Sequence, residues 1–460
     1  MQGTSEQLAA WVAGLQWDDI PQHVRKAARL HILDVVGVML AARPSEVVNA
    51  AARAMAQTDP GSQARALGFD STLSLGGAAF VNGVMASVLE FDDTHIESFV
   101  HSTIAPLSAA AALCQASHLS GPLLMQAVIV GSELGCRLGL VSPSRLHSAG
   151  IHPSAIMGTF GAVYALATLR GLPAAQIVSA IGHSASMCGG LMASWEDGAS
   201  TKTLHVGMAA GQAVRAVALA AEGISGPVSA FDGRYGWFRT HLQKTAPEEF
   251  RFSKATAALG QDWEMLNVAS KPYPSAFTIH PYVDAVLALK AAHGMDASHI
   301  TEIRCEVAQS SIATLCEPVA EKLRPRTTWH GRISLQHSLA EAFIIGKMDK
   351  NAYSPEALHD PRINALADKV SYRVAQKPVD AKKSGAHVTI FLDDGNSMQH
   401  VIDSVRGTRD NPISENDYFD KFRSNAEGVI APALVEQTID SLMRLDELPD
   451  VAPVFDRLAG

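Results

Sequence analysis

Apolar residues recur at helical spacing through most of the first 270 positions of the chain. Pro21 opens the first clear segment. Val24, Ala27, Ala28, Leu30, Ile32, Leu33, Val35 and Val36 then fall three and four apart up to Ala42, and a proline start followed by that period predicts a helix. The same spacing predicts helices over 76–90, 103–118, 122–140, 153–169 and 203–222. Several of these are apolar almost all round and rich in Ala and Gly. A helix without a polar face is a buried one, so they are expected inside a multi-helix bundle.

The texture changes near residue 270. Residues 300–309 alternate, with Ile303, Cys305 and Val307 on one side, as in a half-buried strand. Residues 387–402 read as a hairpin around the turn Asp393-Asp394-Gly395-Asn396, whose residue types suit tight turns. Helical spacing returns between them at 281–293 and 334–347, and again after Pro412, most clearly over 429–445. The expectation is a mainly α fold. A large all-helical domain formed by both chain ends, 1–267 and 409–460, is interrupted by a smaller inserted α+β domain at 268–408. A chain of 460 residues also favours two cores, since one core stops growing at about 250–300 residues.

Composition sharpens this picture. Residues are 47% hydrophobic but only 6% aromatic, so the core is built from Ala, Val, Leu and Ile, which let helix axes approach closely. Net charge is −9 with no Lys/Arg-rich run, which argues against a nucleic-acid partner. It also means that an anionic substrate must be received by a few local cations. The first residues are polar and acidic, unlike a secretory leader. The weakly polar stretches 104–117 and 153–169 are shorter than the roughly 20 residues that span a bilayer. A cytoplasmic protein with no membrane association is expected. The five cysteines, Cys114, Cys136, Cys188, Cys305 and Cys316, form no C-x-x-C pair, so free thiols are expected and an iron–sulfur cluster is not.

Four segments carry candidate chemistry. Glu90, Asp92, Asp93, Thr94 and His95, with His101 shortly after, lie between two apolar helices. Acids and histidines placed there are partly desolvated, which moves them toward acid–base work; a solvated helix end is the plain alternative. Spacing gives no support for a metal site. His152 precedes Pro153 at the start of a predicted helix, near free backbone N–H groups that suit an anion. Lys202 and His205, three apart ahead of another buried helix, are candidates to bind a carboxylate. Lys271 lies in Ser270-Lys271-Pro272-Tyr273-Pro274-Ser275, at the expected domain junction, where two prolines hold the chain extended and clefts commonly form. The chain contains no G-x-G-x-x-G, Walker A, G-x-S-x-G or H-E-x-x-H motif.

Together these segments resemble the MmgE/PrpD family. The resemblance rests on V-N-G-x-x-A-S-x-L-E-F-D-D-T-H at 81–95, G-x-H-P-S at 150–154, E-D-G-A-S-T-K-T-L-H-V-G at 196–207 and K-P-Y-P-S at 271–275. It implies a helical domain with an inserted α+β lid, a homodimer, no cofactor and no metal. It also implies an active site in the interdomain cleft that handles a small polycarboxylate, with site positions at Glu90, Thr94, His101, His152, Lys202 and Lys271. Three positions depart from the family pattern. Glu90 stands where Asp is usual, Ala276 replaces a cysteine, and His337 replaces a tyrosine near the lid helix.

The shared chemical step is to make or quench a carbanion next to a carboxylate, which needs an acid/base at that carbon and cations on the carboxylates. The expected roles follow. His101 is the acid/base, oriented by Asp92 or Asp93, and Thr94 and Glu90 position substrate or relay a proton. Lys202, Lys271 and His152 hold carboxylates, with His205 and His337 in the binding pocket. A dehydratase of the 2-methylcitrate type is expected first. A cis-aconitate-type decarboxylase and an iminodisuccinate-type epimerase are the alternatives, and a non-catalytic metabolite-binding protein or a metal-dependent hydrolase are the rivals from other classes.

Overall fold

The computed structural model describes residues 2–375 and 385–459. Its centre is a set of helices with almost no exposed face: Leu75–Ser87, Ile104–Ser117, Gly121–Gly139, Pro153–Leu169 and Thr201–Ala221. Every residue from Ile104 to Gln115 is buried, as is nearly all of Pro153–Leu169. Small residues let these helices meet at backbone distance. A Cβ on Gly83 would lie 2.6 Å from the Gly207 nitrogen, and one on Gly131 2.6 Å from the Gly161 carbonyl. One hydrophobic core draws on residues from Leu8 to Met265 and again from Tyr418 to Leu458, so the chain returns to the first bundle at its end. The returning Glu415–Ala426 helix packs on Gln22–Ala42, where a Cβ on Gly37 would meet the Phe422 ring at 2.9 Å.

A second core runs from Ile279 to Ile390. It lies under a four-stranded sheet in the order Val370–Val374, Ile300–Val307, Ala386–Leu392, Ser397–Ile402. The first pair is parallel and the others antiparallel. Ile303, Cys305 and Val307 point into this core, as their alternation predicts, together with Val388 and Ile390. The architecture is thus mainly α with a small α+β insert. The Val370–Val374 edge strand carries no strong signal in the sequence, because Tyr372, Arg373 and Val374 stay at least partly in water. Sequence alone also misses that Thr201–Ala221 is long and apolar enough to cross a bilayer; 56% of its most apolar window is buried inside the bundle.

The two cores meet at a short crossing. Thr94–His95 pairs antiparallel with Val268–Ala269, Thr94 opposite Ala269. One residue on, the Ser270 amide donates to the Gly407 carbonyl at 3.0 Å. Gly407 has φ +94° and a Cβ there would lie 1.9 Å from the Ser270 carbonyl, so this approach requires glycine. The ladder sets the acidic segment beside the lysine segment.

The Gly83–Gly207 contact holds the helix before Glu90 against the helix that carries Lys202. Gly83→Ala is expected to destabilise the protein by about 1–3 kcal/mol through backbone overlap. Thermal unfolding checks this; an unchanged midpoint would show that the crossing relaxes freely.

Candidate active site

The Leu75–Ser87 helix ends three residues before Glu90, not at it as periodicity predicts. The Ser74 hydroxyl caps its start by accepting from the Gly77 amide. At its other end Glu90 takes a left-handed conformation, φ 50°, while its amide donates to the Ser87 carbonyl at 3.1 Å. Left-handed backbone is unfavourable for a side chain of this size, and here it turns the carboxylate inward, where it is 5% exposed.

Two lysines meet that carboxylate. The Lys202 ammonium donates to Oε2, and Lys271 donates to Oε1 at 2.9 Å and to the Glu90 carbonyl at 3.2 Å. Lys202 stands in the first turn of Thr201–Ala221, not in a loop ahead of it. A cation at a helix N-terminus is disfavoured by the helix dipole, so Glu90 is a needed counter-charge. Burial alone would raise the Glu90 carboxyl, but Lys202, Lys271 and His101 outweigh it and hold it well below the ordinary value of 4.5. The pair of lysines expected to clamp substrate is therefore already spanned by a carboxylate of the chain.

His101 sits on the other side of Glu90, its Nε2 3.7 Å from Oε1. Its Nδ1 lies 2.9 Å from Asp92 Oδ2, 2.8 Å from the Asp93 carbonyl and 3.1 Å from the Thr94 hydroxyl. Two strong acceptors on Nδ1 place the hydrogen there and leave Nε2 to exchange a proton. The His101 amide is fixed by the Ser154 hydroxyl at 2.9 Å. Burial would raise Asp92, but His101 and Lys271 lower it, the latter from 3.6 Å. The Asp93 carboxylate turns away, to His31 at 3.2 Å and the Thr103 amide at 3.4 Å; only its carbonyl serves His101. His95 likewise faces Ser98 and Glu264.

His152 caps no amide with its ring. Its Nδ1 meets His205 Nδ1 at 3.0 Å, so one imidazole donates to the other. Burial, then Lys202 and His205, push His152 well below 6.5, and burial with Lys202 takes His205 to about 4. Both are uncharged at neutral pH. His337 lies apart from the cluster, 3.2 Å from Glu341 in the α+β unit. It reaches Glu90 only indirectly, through Tyr353 and then Arg332, whose guanidinium donates to the Leu89 and Pro274 carbonyls at 2.7 and 2.8 Å. A cavity of about 270 Å³ beside Glu341, Asp349 and Asp360 is lined by none of the cluster residues.

Glu90, Asp92 and His101 bring three ligand atoms within 4.8 Å of one another, a donor set that a metal could use. Both Glu90 oxygens, however, face ammonium groups, and Asp92 Oδ1 faces a third contact from Lys271. A cation placed there would be repelled by both lysines, so the set suits ion pairing rather than metal binding.

Several participants carry no sequence motif. Lys421, from the returning C-terminal helix, uses its three donors on Asp34 at 2.7 Å and on the Phe91 and Lys271 carbonyls, both at 2.8 Å. It thereby ties the acidic segment to the lysine segment from behind. Trp195 and Trp329 pack edge to face beside Lys202 and His152. A buried polar residue inside an apolar helix, such as Asp34 in Gln22–Ala42, is the one sequence signal that points to this layer.

Burial raises Asp34 and lowers Lys421, and their attraction opposes both shifts. Lys421→Met leaves Asp34 buried without this partner and is expected to cost about 3–5 kcal/mol. Adding Asp34→Asn should recover most of that loss in denaturant unfolding; no recovery would assign the effect to the two carbonyls instead. Acid stability has a defined sign. His152 and His205 have lowered folded values, so below 6.5 the unfolded chain binds protons that the folded one does not, and stability falls as pH drops. The Glu90 pairing is present above 4.5 and is lost only as pH falls through its much lower folded value. Melting temperature followed from pH 7 downward should therefore begin to fall near 6.5, and His152→Asn with His205→Asn should flatten that slope.

Comparison with known proteins places the chain in a family. Residues 6–249 match the MmgE/PrpD N-terminal domain and residues 273–446 the MmgE/PrpD C-terminal domain. The chain is 26% identical over 469 residues to a cis-aconitate decarboxylase-like protein of Aspergillus oryzae, covering 99% of this chain and 97% of that one. It is 25% identical over 472 residues to the cis-aconitate decarboxylase of Aspergillus terreus, covering 99% and 96%. A 2-methylcitrate dehydratase of Cupriavidus necator is 24% identical over 399 residues, covering 80% and 75%. With both domain models matched along most of its length, the chain belongs to the MmgE/PrpD family.

Proposed function

We propose that this protein is a cofactor-independent lyase that moves a proton at the carbon next to a carboxylate of a small polycarboxylic acid. The observation that carries the reading is the convergence of His101 Nε2, the Glu90 carboxylate and the two ammoniums of Lys202 and Lys271 in one buried cluster. An acid/base beside paired cations is what a carbanion-like transition state requires, since charge grows on the carboxylate as the bond at the neighbouring carbon breaks.

In this reading His101 is the general acid/base. Asp92 and the Asp93 carbonyl hold its Nδ1–H, Thr94 helps to orient the ring, and Nε2 exchanges the proton with substrate carbon. Glu90 holds the ammoniums of Lys202 and Lys271 in place until substrate arrives, and a substrate carboxylate then shares those donors with it. His152 and His205 supply neutral donors on the opposite side. The unit at 268–408 closes over the site as a lid, and the protein works as a homodimer.

Similarity over the full chain is to cis-aconitate decarboxylases, which favours loss of CO₂ with His101 delivering a proton to the carbon left behind. The likeness to a 2-methylcitrate dehydratase keeps loss of hydroxide as the second outcome. Proton NMR in D₂O with a panel of di- and tricarboxylates separates them through CO₂ release, alkene formation, or deuterium exchange alone. His101→Asn should lower turnover at least about 10²-fold with binding retained; near-normal turnover would remove His101 from the mechanism. Lys271→Met should mainly weaken binding, by about 3 kcal/mol. A wild-type protein that neither exchanges deuterium into any panel member nor converts it would sink the proposal.

A further inference from the structure

Three consecutive carbonyls at the acidic turn each accept from a different cation. Leu89 accepts from Arg332 at 2.7 Å, Glu90 from Lys271 at 3.2 Å and Phe91 from Lys421 at 2.8 Å. Lys271 and Lys421 each also meet a carboxylate, Glu90 and Asp34 respectively. Arg332 does not: among the described residues no carboxylate pairs with it, although it is only 3% exposed. Its Nη1 donates to the Leu89 and Pro274 carbonyls and its Nη2 to the Ala352 carbonyl at 3.4 Å. Its Nε has no acceptor, and the guanidinium stands 5.2 Å over the Tyr353 ring. A buried cation without a counter-ion costs stability, and an apolar side chain would fill the same space without that cost.

Two of the carbonyls it holds share a feature. Leu89 precedes Glu90, at φ 50°, and Ala352 precedes Tyr353, at φ 62°, both non-glycine residues in the left-handed region. That backbone is unfavourable for such side chains and persists only where its surroundings fix it. Among the described residues no backbone amide donates to the Leu89 or Ala352 carbonyl, so Arg332 supplies their donors. Leu89 also lies two residues beyond the Leu75–Ser87 helix, where unpaired carbonyls and the negative end of the helix dipole favour a cation. Arg332 arrives there from the α+β unit, at the end of the short helix Thr328–Arg332. It joins the turn that aims Glu90 to the Tyr353 turn and to the lysine segment at Pro274. His101 is held without it, by Asp92, the Asp93 carbonyl and the Ser154 hydroxyl.

We propose that Arg332 is a positioning residue: it fixes the left-handed turn that points the Glu90 carboxylate at Lys202 and Lys271, and so sets the affinity of the site for a substrate carboxylate without taking part in proton transfer. This rests on the carboxylate-lyase reading and adds to it the contact through which the α+β unit acts on the site.

Hydrogen exchange read by mass spectrometry tests the turn without any ligand. In the full chain carrying Arg332→Met, peptides covering 88–95 are expected to exchange at least about tenfold faster than in the parent protein, with those covering 104–117 unchanged. Calorimetric titration with maleate, citraconate and cis-aconitate should give at least about tenfold weaker binding in the same variant. For any of these acids that is turned over, KM should rise by that factor while kcat stays within about threefold. Arg332→Lys returns a cation to the Leu89 carbonyl and should bring binding back to within about threefold of the parent. In a Glu90→Ala background Arg332→Met should weaken binding by no more than about twofold, because the carboxylate it positions is gone. Should Arg332→Met not fold, Arg332→Gln set against Arg332→Lys gives the same comparison. Unchanged exchange at 88–95, a kcat that falls as steeply as binding, or the same loss of binding with and without the Glu90 side chain would each overturn the proposal. If exchange responds as expected while none of the acids binds, is converted or exchanges deuterium, Arg332 still positions the turn and the lyase reading falls.

Discussion

The pairing of the Glu90 carboxylate with the ammoniums of Lys202 and Lys271 is the constraint on which the rest of the site depends. Each of the three groups is buried, and none could be buried alone, because an isolated charge in an apolar interior costs far more than folding supplies. They come from three separate stretches of chain. Each stretch must therefore arrive together with the others, and the helices that deliver them are fixed by the same requirement. The left-handed backbone at Glu90 and the position of Lys202 at a helix N-terminus are unfavourable locally. Both are held because the ion pair joins them.

Behind this pair lies a second buried layer, Lys421 with Asp34 and Asp93 with His31. It touches the first layer through the backbone, at the carbonyls of Phe91 and Lys271. The C-terminal segment thus contributes to the site although it carries none of the recognisable motifs. A site supported in this way is rigid, since side chains that use every donor have few alternative positions. The aromatic side differs, since Trp195 is only half-buried.

How much of this was legible in the chain follows from the physics of each element. The buried helices were readable because apolar residues at helical spacing need no tertiary information. Their ends were less so: the helix before Glu90 stops at Ser87 because a tertiary ion pair pulls the chain out of helical geometry, and no local propensity records that. The Val370–Val374 strand was hidden because an edge strand half in water lacks alternation. Among the candidate residues, Glu90, Asp92, Thr94, His101, Lys202 and Lys271 come together in space, and His152 with His205 adjoins them. Asp93 turns its carboxylate elsewhere and His337 stands with Glu341. Sequence spacing cannot tell which face a side chain takes after an irregular turn.

Periodicity and composition alone establish the mainly helical class, the change of texture near residue 270 and a short set of charged candidates. These are local or compositional properties, set by periodicity and by the cost of leaving polar groups inside apolar helices. Which group faces which is settled by packing: Glu90 spans both lysines, His152 bonds to His205, and Trp195 meets Trp329 edge to face. Those partnerships join positions more than 50 residues apart in the chain. They are selected by the mutual neutralisation of buried charge, which exists only once the helices have packed.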